Sequence, residues 1–316
     1  MAAARKIPGG FLPLIFLLLL QGCASTPQLD ELRKQPPGGN SLVELEQVPF
    51  YAQQEFQCGP AALATVLNWT GVDTDPERLR PMVYLPDRRG SLQVEMLTAT
   101  RRYGRVAYVL RPRLQDLISE LQAGIPVLVL QNLGLSFIPR WHYAVVVGFD
   151  LGKEHVILRS GTMKRHITSL DVFERTWARS DYWAMVALPP GKLPETADEF
   201  SYLKSVAALE KSAQWPALRT SYQAALRRWP SSLLAHMGLG NTLYALRDLK
   251  GSAAVFRRAT QYHPKSADAF NNLASVLLES GENAQAEVAA RQAVRLGGPS
   301  AEVYRRTLDE VINRGN

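Results

Sequence analysis

The chain has 316 residues, 46% of them hydrophobic, and a net charge of +7. That length exceeds one small domain and the composition allows well-filled cores, so two domains are expected. The basic residues are scattered rather than blocked, which excludes a nucleic-acid footprint. No metal-ligand spacing, phosphate-cradling glycine loop or nucleotide fingerprint occurs, so no cofactor and no metal is expected.

The N-terminus reads as an export signal. Arg5 and Lys6 precede a short apolar run, Phe11 to Leu20, too short to span a bilayer comfortably. Leu20-Gln21-Gly22-Cys23 follows and resembles the lipobox of bacterial lipoproteins. The resemblance implies a signal peptide over 1–22 and acylation of the Cys23 thiol. Ala24 and Ser25 bring no aspartate, which by the sorting rules of diderm bacteria implies an outer-membrane lipoprotein facing the periplasm. Residues 23–41 contain Pro27, Pro36, Pro37, Gly38, Gly39 and Asn40 and read as a flexible lipidated tether.

Residues 42–190 read as the first domain. Leu42 to Val48 alternates like a strand. Cys58-Gly59-Pro60 then opens an apolar helix that runs to Trp69 and stops at Gly71. Pro60 suits a first helical turn, where its missing N–H would have had no partner. Cys58 therefore belongs at a helix N-terminus, where free amides and the macrodipole favour a thiolate nucleophile. The alternative is a structural cysteine packed under the helix start. With Cys23 acylated, Cys58 is the only other cysteine in an oxidising compartment, which favours a working thiol.

Further helices are expected after Asp75, over Ser91 to Tyr103 and over Leu114 to Leu121, with a strand over Val106 to Leu110. The pattern then turns to β: Ile125 to Leu130, Tyr143 to Phe149, Val156 to Ser160, Arg165 to Leu170 and Tyr182 to Leu188, with a helix from Asp171 to Ala178. Helices first and an antiparallel sheet second make an α+β domain. Pro189-Pro190-Gly191 closes it, and 191–198 reads as a linker.

From 199 to 316 the chain is helical and repeats. Pro230 and Pro264 define units 199–232, 233–266 and 267–300. Equivalent positions carry Ala225, Ala259 and Ala293, and Tyr222, Phe256 and Ala290. The period and the small/large alternation resemble the tetratricopeptide repeat, an all-α solenoid, closed here by a capping helix from Ala301.

A thiol nucleophile needs a base. His236 and His263 fall in the repeats, and His155 and His166 in hairpin contexts. His142 stands at the mouth of the apolar strand Tyr143 to Asp150, well placed to face a cleft. Val48-Pro49-Phe50-Tyr51, Cys58-Gly59-Pro60-Ala61-Ala62 and His142-Tyr143-Ala144-Val145-Val146-Val147-Gly148 together resemble the bacteriocin-processing, double-glycine-leader cysteine peptidases, which have a papain-like fold. The resemblance implies Cys58 as nucleophile, His142 as base and a glutamine upstream as oxyanion donor. The family's glutamine position falls on Ala52, so Gln53, or else Gln54, takes that role. Where the family has an orienting aspartate this chain has Ser160, which brings no charge; Asp150 lies too far along the strand of His142.

The expected protein is a papain-like cysteine peptidase domain followed by tetratricopeptide repeats. It would cleave a peptide or protein substrate, dock a protein partner through the repeats and bind the membrane through its lipid. The alternatives are a catalytically weak adaptor and an acyl transferase.

Overall fold

In the computed structural model, residues 25–53 and 57–315 are described. The expected signal peptide, Cys23 and Gln54 lie outside them. Among the described residues, no helix is long and apolar enough to cross a membrane.

The first domain contains α1 (Pro27–Lys34), β1 (Leu42–Glu44), α2 (Cys58–Trp69), α3 (Pro76–Val83), β2 (Tyr84–Leu85), β3 (Gly90–Ser91), α4 (Gln93–Arg102), β4 (Val106–Val109) and α5 (Leu114–Gln122). It continues with β5 (Val127–Asn132), β6 (Trp141–Asp150), β7 (His155–Ser160), β8 (Met163–Ser169), α6 (Leu170–Ala178) and β9 (Ala184–Leu188). The main sheet is antiparallel with strand order β4-β9-β5-β6-β7-β8, and β1 pairs with the far end of β6. The α+β architecture read from the sequence is the observed one.

The central strands are apolar on both sides because helices cover both faces. Tyr143, Val145, Leu128 and Met185 pack with Leu63, Leu67 and Met96 on the α2 side. Ala144, Val146, Val127 and Val129 pack with Leu117, Ile118, Phe173 and Trp177 on the α5 and α6 side. Burial of each large apolar side chain contributes about 1.5–3 kcal/mol. Helix α2 is buried without a break from Gly59 to Leu67, so it has no wet face.

The tether is a correction to the sequence reading. Residues 27–34 are not a loose linker. Pro27 opens α1, and Leu29 and Leu32 are buried in the α5/α6 cluster. The Glu174 carboxylate accepts from the Gln28 and Leu29 amides at 3.0 and 2.8 Å, which satisfies two free N–H groups of the first turn. Spacing that looked like prolines in a tether places two leucines on one helix face. The linker at 191–198 is pinned too: Glu120, buried on α5, accepts from the Glu195 and Thr196 amides at 3.1 and 2.9 Å.

The second domain is α7 (Glu199–Ala207), α8 (Trp215–Arg228), α9 (Leu233–Ala245), α10 (Leu249–Tyr262), α11 (Ala267–Glu279), α12 (Asn283–Leu296) and α13 (Ala301–Gly315). Ser232, Asp248 and Ser266 cap α9, α10 and α11 with their side chains. The repeat positions behave as their residue types require: Ala225, Ala259 and Ala293 are fully buried, and a Cβ on Gly240 would stand 2.5 Å from the Phe256 ring. Small residues on one helix make room for the aromatic on the next. The first repeat is shared, because Tyr202 and Val206 of α7 join the core of the sheet domain.

Candidate active site

The site forms where β6 and β7 part. Pairing between them starts at Val145 with Arg159, so the first residues of β6 have no partner on that side. On the other side, Tyr143 opposes Leu130, whose amide donates to Trp183 of the strand leading into β9. The Tyr143 amide and carbonyl therefore point away from β5, into the fork. Its carbonyl accepts from Gln53 Nε2 at 3.1 Å. Its N–H points at the Cys58 sulfur.

Cys58 is the first residue of α2, as its sequence context predicts. Gly59 is needed there, since a Cβ would meet Ser91 Oγ at 2.2 Å and Ser91 Cβ at 2.6 Å. Three backbone N–H groups, of Tyr143, Gly59 and Cys58 itself, draw the thiol pKa down, but burial is the larger effect and leaves it raised. This corrects the expectation of a resting thiolate. The helix terminus acts as predicted, and loss of water outweighs it.

His142 is half-buried beside Tyr143, and its Nε2 lies 2.8 Å from Ser160 Oγ at the end of β7. Burial, and to a lesser extent His166 on β8, lowers its pKa to about 4. No carboxylate offsets these two effects. Asp150 sits at the other end of β6, where its carboxylate accepts from the Lys153 amide. Ser160 thus occupies one ring nitrogen, Nε2. No hydrogen bond joins thiol and imidazole among the described residues. Strand alternation puts the His142 ring on the sheet face opposite Tyr143 and α2, where it meets Ser160, while the thiol lies at the Tyr143 amide.

Gln53 is drawn into the same place. Its Oε1 accepts from the Gly161 amide at 3.1 Å, and its own amide donates to the Gly161 carbonyl at 2.9 Å. One Nε2 proton is used on Tyr143; the second has no acceptor among the described residues and is the donor available to a developing oxyanion. Gln57 points elsewhere, 3.5 Å from Glu77. Of the aromatics near the motif, Tyr143 is core, with its hydroxyl on the Ser91 carbonyl, and Trp141 is exposed.

Sequence reasoning missed Arg159. Its buried guanidinium donates to the Val48, Glu46 and Lys164 carbonyls, which ties the loop leading to Gln53 onto β7 next to Ser160. A charged residue inside an apolar strand pattern was the available signal. His166 was read as structural, and it acts on His142 through its charge.

Family models match both domains. Residues 45–185 match the model of the Peptidase_C39 like family, and residues 208–262 and 241–301 match that of a tetratricopeptide repeat. The chain joins a C39-like domain to tetratricopeptide repeats. A C39-like peptidase from Bacillus anthracis is 18% identical, with a TM-score of 0.41, over 47% of this chain and 98% of that one. A double-glycine-motif protease of an AMS/PCAT transporter, solved with its leader peptide, is 21% identical, with a TM-score of 0.34, over 45% of this chain and 91% of that one. For the repeats, the Yersinia enterocolitica secretion chaperone SycD, solved with a peptide of the translocator YopD, is 16% identical, with a TM-score of 0.34, over 36% of this chain and 92% of that one. No curated protein matches the chain.

Proposed function

We propose that the protein is a cysteine peptidase of the bacterial envelope, held on the outer membrane by acylated Cys23 and facing the periplasm. The observation that supports the catalytic part is the fork itself: the amide of Tyr143 acts on the helix-terminal Cys58 thiol, its carbonyl holds Gln53, and the residue before it, His142, has its ring held by Ser160. His142, neutral at neutral pH, accepts the Cys58 proton as the sulfur attacks a peptide carbonyl. Gln53 Nε2 and the Cys58 amide stabilise the oxyanion. The imidazolium then gives its proton to the leaving amine, and water, deprotonated by the same ring, hydrolyses the thioester. Ser160 holds the ring without charge, so the proton transfer gains less than it would beside a carboxylate.

The repeats supply docking. A groove of about 690 Å³ runs between α8, α9 and α10, lined by Arg219, Arg227, Leu226, Leu239, Val255 and Arg258. Three arginines against one carboxylate, Asp248, leave it net positive, and with its apolar floor it suits an acidic, partly apolar segment of substrate or partner.

The raised thiol pKa and the missing carboxylate favour a second reading, a peptidase fold that binds a peptide without cutting it. Mapping peptide termini in the envelope of cells with wild-type protein and with Cys58→Ala separates the two. New termini that vanish in the variant support hydrolysis; identical maps support the adaptor.

A further inference from the structure

The hairpin between β5 and β6 exposes an apolar tip directly before His142. Leu133, Leu135, Phe137, Ile138 and Trp141 are all more than half exposed, Phe137 reaching 78%. Five such side chains within nine residues form a patch rather than the usual scatter of surface apolar groups. Arg140 stands among them, and the sequence has no acidic residue from Gln131 to Phe149. Aromatic and aliphatic side chains with a cation at their rim are the composition of a surface that enters a lipid interface.

The chain's own connectivity says which surface covers it. Helix α6 touches both the start of α1 and the base of the hairpin. Glu174 clamps the start of α1, while Arg179, just past the helix end, donates to the Asn132 and Gly134 carbonyls at the base of the hairpin at 3.2 and 2.8 Å. Arg179 lies five positions after Glu174, about 7.5 Å along the axis. From Cys23 to Gln28 the chain can reach roughly 17 Å at full extension. With α1 docked, a lipid on Cys23 cannot stand off on a long tether, and the membrane lies within reach of the hairpin.

We propose that the tip Leu133 to Trp141 sits in the interface of the bilayer that holds the lipid anchor, so that the β6–β7 fork opens beside the lipid surface. The inference rests on acylation of Cys23, and the experiment separates the two. Full-length protein is purified in detergent, its mass is read for the acyl chains, and it is reconstituted in phosphatidylethanolamine/phosphatidylglycerol vesicles with brominated acyl chains. Tryptophan quenching is compared for the wild type and for Phe137→Ser/Ile138→Ser, both substitutions lying on exposed positions. The expected result is an acylated chain whose tryptophan emission is quenched, with the quenching lost in Trp141→Phe, which removes one of the six tryptophans, and in the double variant, while vesicle binding persists. An acylated chain without quenching overturns the hairpin contact and leaves the anchor standing. A chain without acyl mass overturns the anchor; quenching that persists then supports the hairpin contact alone. If the wild type is not quenched and the double variant loses peptide binding in detergent, the tip holds peptide rather than lipid, and the inference is wrong.

Discussion

The charge state of His142 is the most exposed part of this account. Burial and His166 hold its pKa at about 4, against an ordinary value of 6.5. The difference of roughly 2.5 units corresponds to about 3 kcal/mol between the neutral and charged ring. The sign follows from proton uptake. Between pH 6.5 and 4 the unfolded chain binds a proton at this position and the folded chain does not. Folding stability therefore falls as the pH drops through that window, with the whole loss present by about pH 4. Ser160→Asp places a carboxylate where a hydroxyl now lies 2.8 Å from Nε2. An opposite charge at that range raises the ring pKa by about 1–3 units, which reverses much of the burial effect. The assay is an NMR titration of the histidine Cε1–H resonances in the full chain, with His142→Gln as the assignment control. A wild-type His142 that titrates near 6.5, or a Ser160→Asp ring that does not move, refutes the reasoning.

Gly59→Ala pushes a methyl into Ser91 and should cost about 1–3 kcal/mol, read as a lower Tm, and should displace the thiol and change its alkylation rate. Gly240→Ala meets the Phe256 ring and should destabilise the repeats by a similar about 1–3 kcal/mol, seen as earlier loss of helical signal on heating. Glu174→Ala removes two charge-assisted bonds from the start of α1; hydrogen exchange over residues 27–34 should rise sharply while the sheet core stays protected. Alkylation of Cys58 by iodoacetamide should climb with pH through neutrality without levelling, because burial raises the thiol pKa; a plateau near pH 6 would instead reveal a resting thiolate.

Much of the fold was legible because its signals were local. Cys58-Gly59-Pro60 marked a helix start by its chemistry, and Ala225, Ala259 and Ala293 marked tight helix contacts by size. The docked helix α1 was not legible, since what fixes it is Glu174, nearly 150 residues away, and prolines speak equally for a helix start and a tether. The placement of Ser160 against His142 was implied by the family resemblance, as the position of the family's aspartate, and the structure puts the two side chains together. The protonation state was not legible. Helix-end amides are visible in the sequence as a helix start, whereas burial depends on how distant segments close over the sulfur. Arg159 stood out as a charge in an apolar strand, but its partners are backbone carbonyls that no side-chain pattern names.

The central claim is that the Cys58 sulfur and the His142 ring serve one reaction centre. A short bifunctional electrophile, 1,3-dibromoacetone, tests it directly, because it joins a thiol to an imidazole only when both lie within the span of three carbons. Peptide mass mapping of the treated full-length protein should show Cys58 linked to His142. The link should be absent in His142→Gln, which should carry only the single adduct on Cys58. A wild-type protein that acquires the Cys58 adduct and never the bridge to His142 contradicts the account.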